Sequence, residues 1–61
     1  MLLTSYLFGP LRVLVSDETD EVVAVQDALT GCAASLLYNR AAITHATAQA
    51  RMAHASLAEL A

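Results

Sequence analysis

Chemistry in a 61-residue chain has to be sought first among its few reactive side chains. Cys32 is the only cysteine, and His45 and His54 are the only histidines. A thiolate nucleophile needs a stabilising base or cation nearby. On a helix no histidine falls one or two turns from Cys32, so Cys32 reads as a core residue. The nine-residue step from His45 to His54 puts them on opposite sides of a helix, which is poor geometry for sharing a metal ion. No metal and no cofactor is expected. The acids of "SDETDE", Asp17, Glu18, Asp20 and Glu21, lack the loop glycine and terminal bidentate glutamate of a calcium-binding EF-hand. They fit better as the acidic first turn of a helix, where the macrodipole favours negative charge. No phosphate-cradling glycine loop, dinucleotide fingerprint or paired-cysteine motif occurs. Catalysis is therefore not expected.

One polar pattern has helical spacing. Arg40, Thr44, Thr47, Arg51 and His54 step by four and three, and so share one stripe of a helix. In a tubular or ring assembly such a stripe would line a lumen or face an anionic partner. Its plainer reading, a solvated face, is preferred.

The element that would carry this stripe is the dominant feature of the chain. Val22, Val25, Leu29, Cys32, Leu36, Asn39, Ile43, Ala46, Ala50, Ala53, Leu57 and Leu60 alternate steps of three and four without a miss. This predicts a long amphipathic helix over residues 17–61 with one continuous seam. Ser16, Asp17 or Thr19 would cap its start. A competing reading makes "DETD" a loop and Glu21–Gln26 a third strand, which suits Val22, Val23 and Val25. The early helix start is favoured because the seam already includes Val22 and Val25. Gly31 and Asn39 are the two places where the helix could break. Glycine costs about 1 kcal/mol against alanine in a helix interior, and Asn39 falls at a seam position where a buried polar group can set register.

Composition separates the rest. Residues 1–23 contain no alanine, whereas thirteen alanines lie between Ala24 and Ala61. The first 16 residues form an apolar arm. Gly9-Pro10 is a turn signal, and a small hairpin of residues 2–8 with 11–16 is expected. Leu3, Leu7, Leu11, Val13 and Val15 share one parity; Thr4, Tyr6, Arg12 and Ser16 share the other. Tyr6 and Phe8 then lie opposite Leu3 and Leu7, so that the arm is apolar on both faces. It is too short to span a membrane and lacks the basic start of a signal peptide. Contact with a membrane surface through residues 1–15 is left open.

The sequence thus predicts a mainly α protein: a hairpin or extended arm, then a long Ala-rich helix, completed by oligomerisation. A chain of this length buries only about 60% of its unfolded surface and is marginal without a disulfide, a metal or a partner. One cysteine excludes an internal disulfide. Six acids, three arginines and no lysine, a net charge of −3, argue against a phosphate-tracking surface, so nucleic acid is not the expected partner. The function expected is that of a small structural or assembly subunit, self-associating or packed into a larger complex of the virion, secretion or filament type. The alternatives are a dimerising regulatory module of antitoxin or adaptor type, and a small membrane-associated accessory subunit.

Overall fold

The computed structural model describes residues 2–60; Met1 and Ala61, the outer ends of the expected arm and helix, lie outside them. The chain runs β1 (Leu3–Phe8), β2 (Leu11–Ser16), β3 (Val22–Asp27), a short 3-10 turn (Ala34–Leu36) and α1 (Arg40–Leu60). The strands form one antiparallel sheet in the order β1-β2-β3, and α1 packs on one face of it. With 33% strand against 40% helix, the fold is α+β and not mainly α.

β1 and β2 pair from Phe8↔Leu11 to Leu3↔Ser16 around Gly9-Pro10. Gly9 has φ +60° and Pro10 is held near −65° by its ring, the combination that a tight type II′ hairpin turn requires. A two-residue loop also inverts parity between the strands. Odd residues of β1 lie opposite even residues of β2. Thr4, Tyr6 and Phe8 therefore share the helix side with Leu11, Val13 and Val15, while Leu3 and Leu7 point away from it. The expected grouping of Leu3 and Leu7 with Leu11, Val13 and Val15 is corrected accordingly.

The acidic run is the β2–β3 connection and not a helix start. Ser16 still acts as a cap would: its buried hydroxyl accepts from the N–H groups of Glu18 and Thr19, each at 3.3 Å. Asp20 N–H then donates to Ser16 C=O at 2.8 Å, closing one helical turn. Asp20 adopts a left-handed φ of +61°, which ends the turn as a helix C-terminus ends. Ser16 N–H meets Glu21 C=O at 2.9 Å, and the chain returns as β3.

Val22 and Val25 lie in that strand, three residues apart, yet both pack against the core. A regular strand would place them on opposite faces. The register shift between Leu14 and Val15, where Leu14 pairs with Ala24 but Val15 with Val22, inserts one extra residue and restores both valines to the helix side. The spacing of three that resembles a helix is here the product of a β-bulge.

The expected helix over 17–61 is thus realised only from Arg40 onward. Asn39 is its N-cap, with Oδ1 accepting from Ala42 N–H at 2.8 Å, the bond that satisfies a donor left free at a helix start. Gly31 (φ +77°) lies in the turn after β3, its N–H bonded to Asp27 C=O at 2.8 Å. The core is small: Leu11, Val13, Val15, Ala34, Ala46 and Ala50, with Tyr6, Phe8, Val22, Val25, Tyr38 and Ile43 packed around them. Alanines on the helix let it approach the branched side chains of β2 closely.

Candidate functional site

Two polar clusters and one uncovered surface are the features with functional content. The first cluster joins α1 to the sheet. His54, whose side chain is only 11% exposed, places Nδ1 2.8 Å from the Tyr6 hydroxyl and Nε2 2.9 Å from Asp20 Oδ1. The tautomer that satisfies both has Nε2–H donating to Asp20 and Nδ1 accepting from Tyr6. Asp17 stands 3.9 Å from Nε2 and accepts from Thr4 Oγ1 at 2.6 Å. The rings of Tyr6 and His54 meet edge-on at 6.0 Å.

Chemically this is a Tyr–His–Asp relay. Burial, and then the charge of Asp17, push the Tyr6 phenol above its ordinary range, so Tyr6 is a weak source of phenolate. Both imidazole nitrogens are engaged within the chain. The adjoining hollow of about 380 Å³, lined by Asp20, Arg51, His54 and Ala55, offers one arginine and no convergent set of donors. Among the described residues no group of three His, Cys, Asp or Glu side chains is placed to hold a metal ion. The relay is arranged as a latch that fixes α1 to β1 and to the β2–β3 loop.

The second cluster closes the turn after β3. Asp27, 8% exposed, accepts at Oδ2 from Leu29 N–H (3.1 Å), Thr30 N–H (2.9 Å) and Thr30 Oγ1 (3.0 Å). The Tyr38 hydroxyl donates to its other oxygen. These bonds, that of Tyr38 foremost, hold the Asp27 carboxyl below the ordinary carboxylate range, against the opposing effect of burial. The same bond, with burial and the Asp27 charge, raises the Tyr38 phenol.

The residues singled out by spacing are dispersed. Val22 and Val25 belong to β3. Leu29, Cys32 and Leu36 lie between β3 and α1, and all three are exposed, so Cys32 is not a core residue. Asn39 is an exposed cap. Ile43, Ala46, Ala50 and Ala53 do form one inward face of α1, occupied by the chain's own sheet; Leu57 and Leu60 beyond them are 51% and 84% exposed. Of the polar stripe, Arg40, Thr44 and Arg51 are exposed, Thr47 is half-buried and only His54 joins a cluster. Sequence reasoning missed Tyr6, Asp20, Asp27 and Tyr38. The Asp27-x-x-Thr30-Gly31 spacing is a legible turn motif; the Tyr6–His54 contact, 48 residues apart in sequence, carries no local signal.

The uncovered surface is the sheet face opposite α1. Leu3, Leu7 and Val23 are 44%, 63% and 48% exposed there, around half-buried Leu14 and Ala24. Arg12 is the one charged side chain that the strands present on this face, its Nη2 making a long 3.5 Å contact with Ala28 C=O. Among the described residues no helix is long and apolar enough to cross a membrane.

No family model matches the chain, and no curated protein or solved structure matches it.

Proposed function

We propose that this chain is a small assembly subunit, without catalytic activity of its own, that self-associates through the part of its sheet that α1 leaves uncovered. The observation that carries the reading is the outward apolar set Leu3, Leu7, Leu14 and Val23. An antiparallel sheet with one face on a core ordinarily turns polar side chains outward, and here three of those outward positions are leucine. The net charge of −3 without lysine favours protein over nucleic acid as the partner.

The inward face of α1 is engaged within the chain, so association uses the sheet and not the helical seam. Sedimentation equilibrium tests the reading. The wild type is expected to show concentration-dependent association. Leu7→Glu, at a position 63% exposed where the fold tolerates the change, is expected to abolish it with an unchanged circular dichroism spectrum. A wild type that sediments as an ideal 6.4 kDa species at all concentrations overturns the reading.

A further inference from the structure

The two edges of the sheet differ in a way that specifies how copies would meet. The outer side of β3 is blunted and only its end is covered: Gln26 is bridged to Ala33, Asp27 N–H is bonded to Cys32 C=O at 2.9 Å, and a bulge breaks the strand between Val22 and Ala24. Among the described residues no strand pairs with the outer side of β1. Sheets usually blunt an open edge with charge, proline, a bulge or a very short strand. β1, six residues reading LTSYLF, has an unbroken register with β2 and none of these devices. Resting on the self-association reading and giving it a geometry, we propose that two copies join edge to edge through β1. The strands pair antiparallel about a two-fold axis at Ser5, making one continuous sheet of six.

Backbone polarity selects the residues. Leu2 C=O accepts from Asp17 N–H at 3.0 Å, so residue 2 directs its peptide groups at β2. Because direction alternates along a strand, Thr4, Tyr6 and Phe8 also face β2. Leu3, Ser5 and Leu7 present their N–H and C=O to the open side.

Register follows from two demands. Residues paired across the strands must put their side chains on the same face, and the outward peptide groups must meet one another. Pairing Leu3 with Leu7 of the second copy, Thr4 with its Tyr6 and Ser5 with its Ser5 meets both, and uses every free N–H and C=O of the three residues. A shift of one residue sets outward side chains opposite inward ones, with Leu3 against Phe8 or Tyr6. Moving the axis to Tyr6 places Leu3 opposite Gly9, beyond the strand. In the chosen register the exposed Leu3 and Leu7 become cross-strand neighbours, twice over, on the face away from α1.

Charge is compatible as well. The acidic loop 17–21 lies at the Leu3 end of β1, as the Leu2–Asp17 bond shows. Antiparallel pairing puts the two loops at opposite ends of the joint, whereas parallel pairing would bring them together.

The experiment compares four variants of the full chain by sedimentation equilibrium with circular dichroism. Ser5→Lys sets like charges opposite each other at the axis, and Ser5→Pro removes the central outward N–H while leaving the β1–β2 ladder intact. Ser5→Pro is expected to weaken dimerisation by about a hundredfold, the effect of two lost hydrogen bonds, and Ser5→Lys by about fivefold through the opposed charges, each with the fold retained. Mixing Ser5→Lys with Ser5→Glu is expected to restore a species of twice 6.4 kDa, which a general folding defect would not allow. Val23→Glu, on the far strand, is expected to leave the dimer intact. Dissociation by Val23→Glu but not by the Ser5 variants overturns the edge pairing and leaves self-association through the sheet face; a strictly monomeric wild type overturns both.

Discussion

Asp27 concentrates more of the chain's local order than any other side chain. It ends β3, organises the turn through Leu29 and Thr30, and takes the Tyr38 hydroxyl from the segment leading to α1. Its carboxyl is depressed in the folded state by these bonds, so the sign of its linkage is fixed. The stabilisation it contributes is fully present above the unfolded-state value near 3.8, and is lost as pH falls through the lower folded-state value. Thermal melts are expected to show a falling midpoint below about pH 4. Asp27→Asn is expected to flatten that slope and lower the midpoint at neutral pH, since an amide cannot accept all four bonds as well. Tyr38→Phe should return the Asp27 carboxyl, followed by NMR titration, toward the ordinary range; an unmoved value there means that the backbone donors alone set it. Tyr38 has the opposite linkage. Its raised phenol contributes stability present below the ordinary value of 10.0 and lost as pH rises through the folded-state value. The Asp27 turn was written locally in "DALTG" and could have been read as an Asx turn. His54 was not legible in the same way: its partners Tyr6 and Asp20 become neighbours only after the hairpin forms and α1 crosses it.

Elements are held by different means at their ends than in their middles. α1 begins where Asn39 caps it, and Asn39→Ala is expected to cost about 1 kcal/mol, a drop of several degrees in the melting midpoint for a domain of this size. In its middle, Ala46 and Ala50 are 2% and 0% exposed against the valines of β2. Ala50→Leu would force the helix away from the sheet and is expected to cost about 1–3 kcal/mol, measured by urea denaturation. A neutral result would show that the layer spacing is not set by alanine. The same alanines explain why the lower half of the helix was legible. Ile43, Ala46, Ala50 and Ala53 repeat at helical spacing because one face must be slim enough to lie on a sheet. The upper half misled for a physical reason. The bulge opposite Val15 turns Val22 and Val25 to the same side, so a strand imitates steps of three. Leu29, Cys32 and Leu36 then continue the series without any burial to support it. The β1–β2 hairpin was readable from Gly9-Pro10 and the branched residues after it. Its facing was not, because the loop of two residues inverts parity and exchanges which leucines are covered.

At the scale of the whole molecule, a 21-residue helix is set on strands of six residues. At 1.5 Å per residue the helix is about 31 Å long, and the strands reach only about 20 Å, which accounts for a longest extent of 34 Å beside 22 and 16 Å. The overhang is therefore geometrical, and the question is where anchoring stops. Among the described residues His54, tied to Tyr6 and Asp20, is the last side chain of α1 bonded to the sheet or its loop; Ser56 bonds back within the helix, and Leu57 and Leu60 are 51% and 84% exposed. Small chains are marginal because surface is large relative to volume, and exposed helix ends add surface without adding core. A truncation ending at Ser56 is accordingly expected to fold, with its melting midpoint within about 5 °C of the full chain, the shift of roughly 1 kcal/mol or less. A truncation ending at Ala53 also removes His54, leaving Tyr6 and Asp20 without their shared partner at the join of sheet and helix. It is expected to lose at least twice as much or to unfold. Circular dichroism melts of the two truncations against His54→Gln in the full chain separate helix length from the latch. Equal losses for the two truncations would place the anchoring beyond His54, in the leucines that now lie exposed.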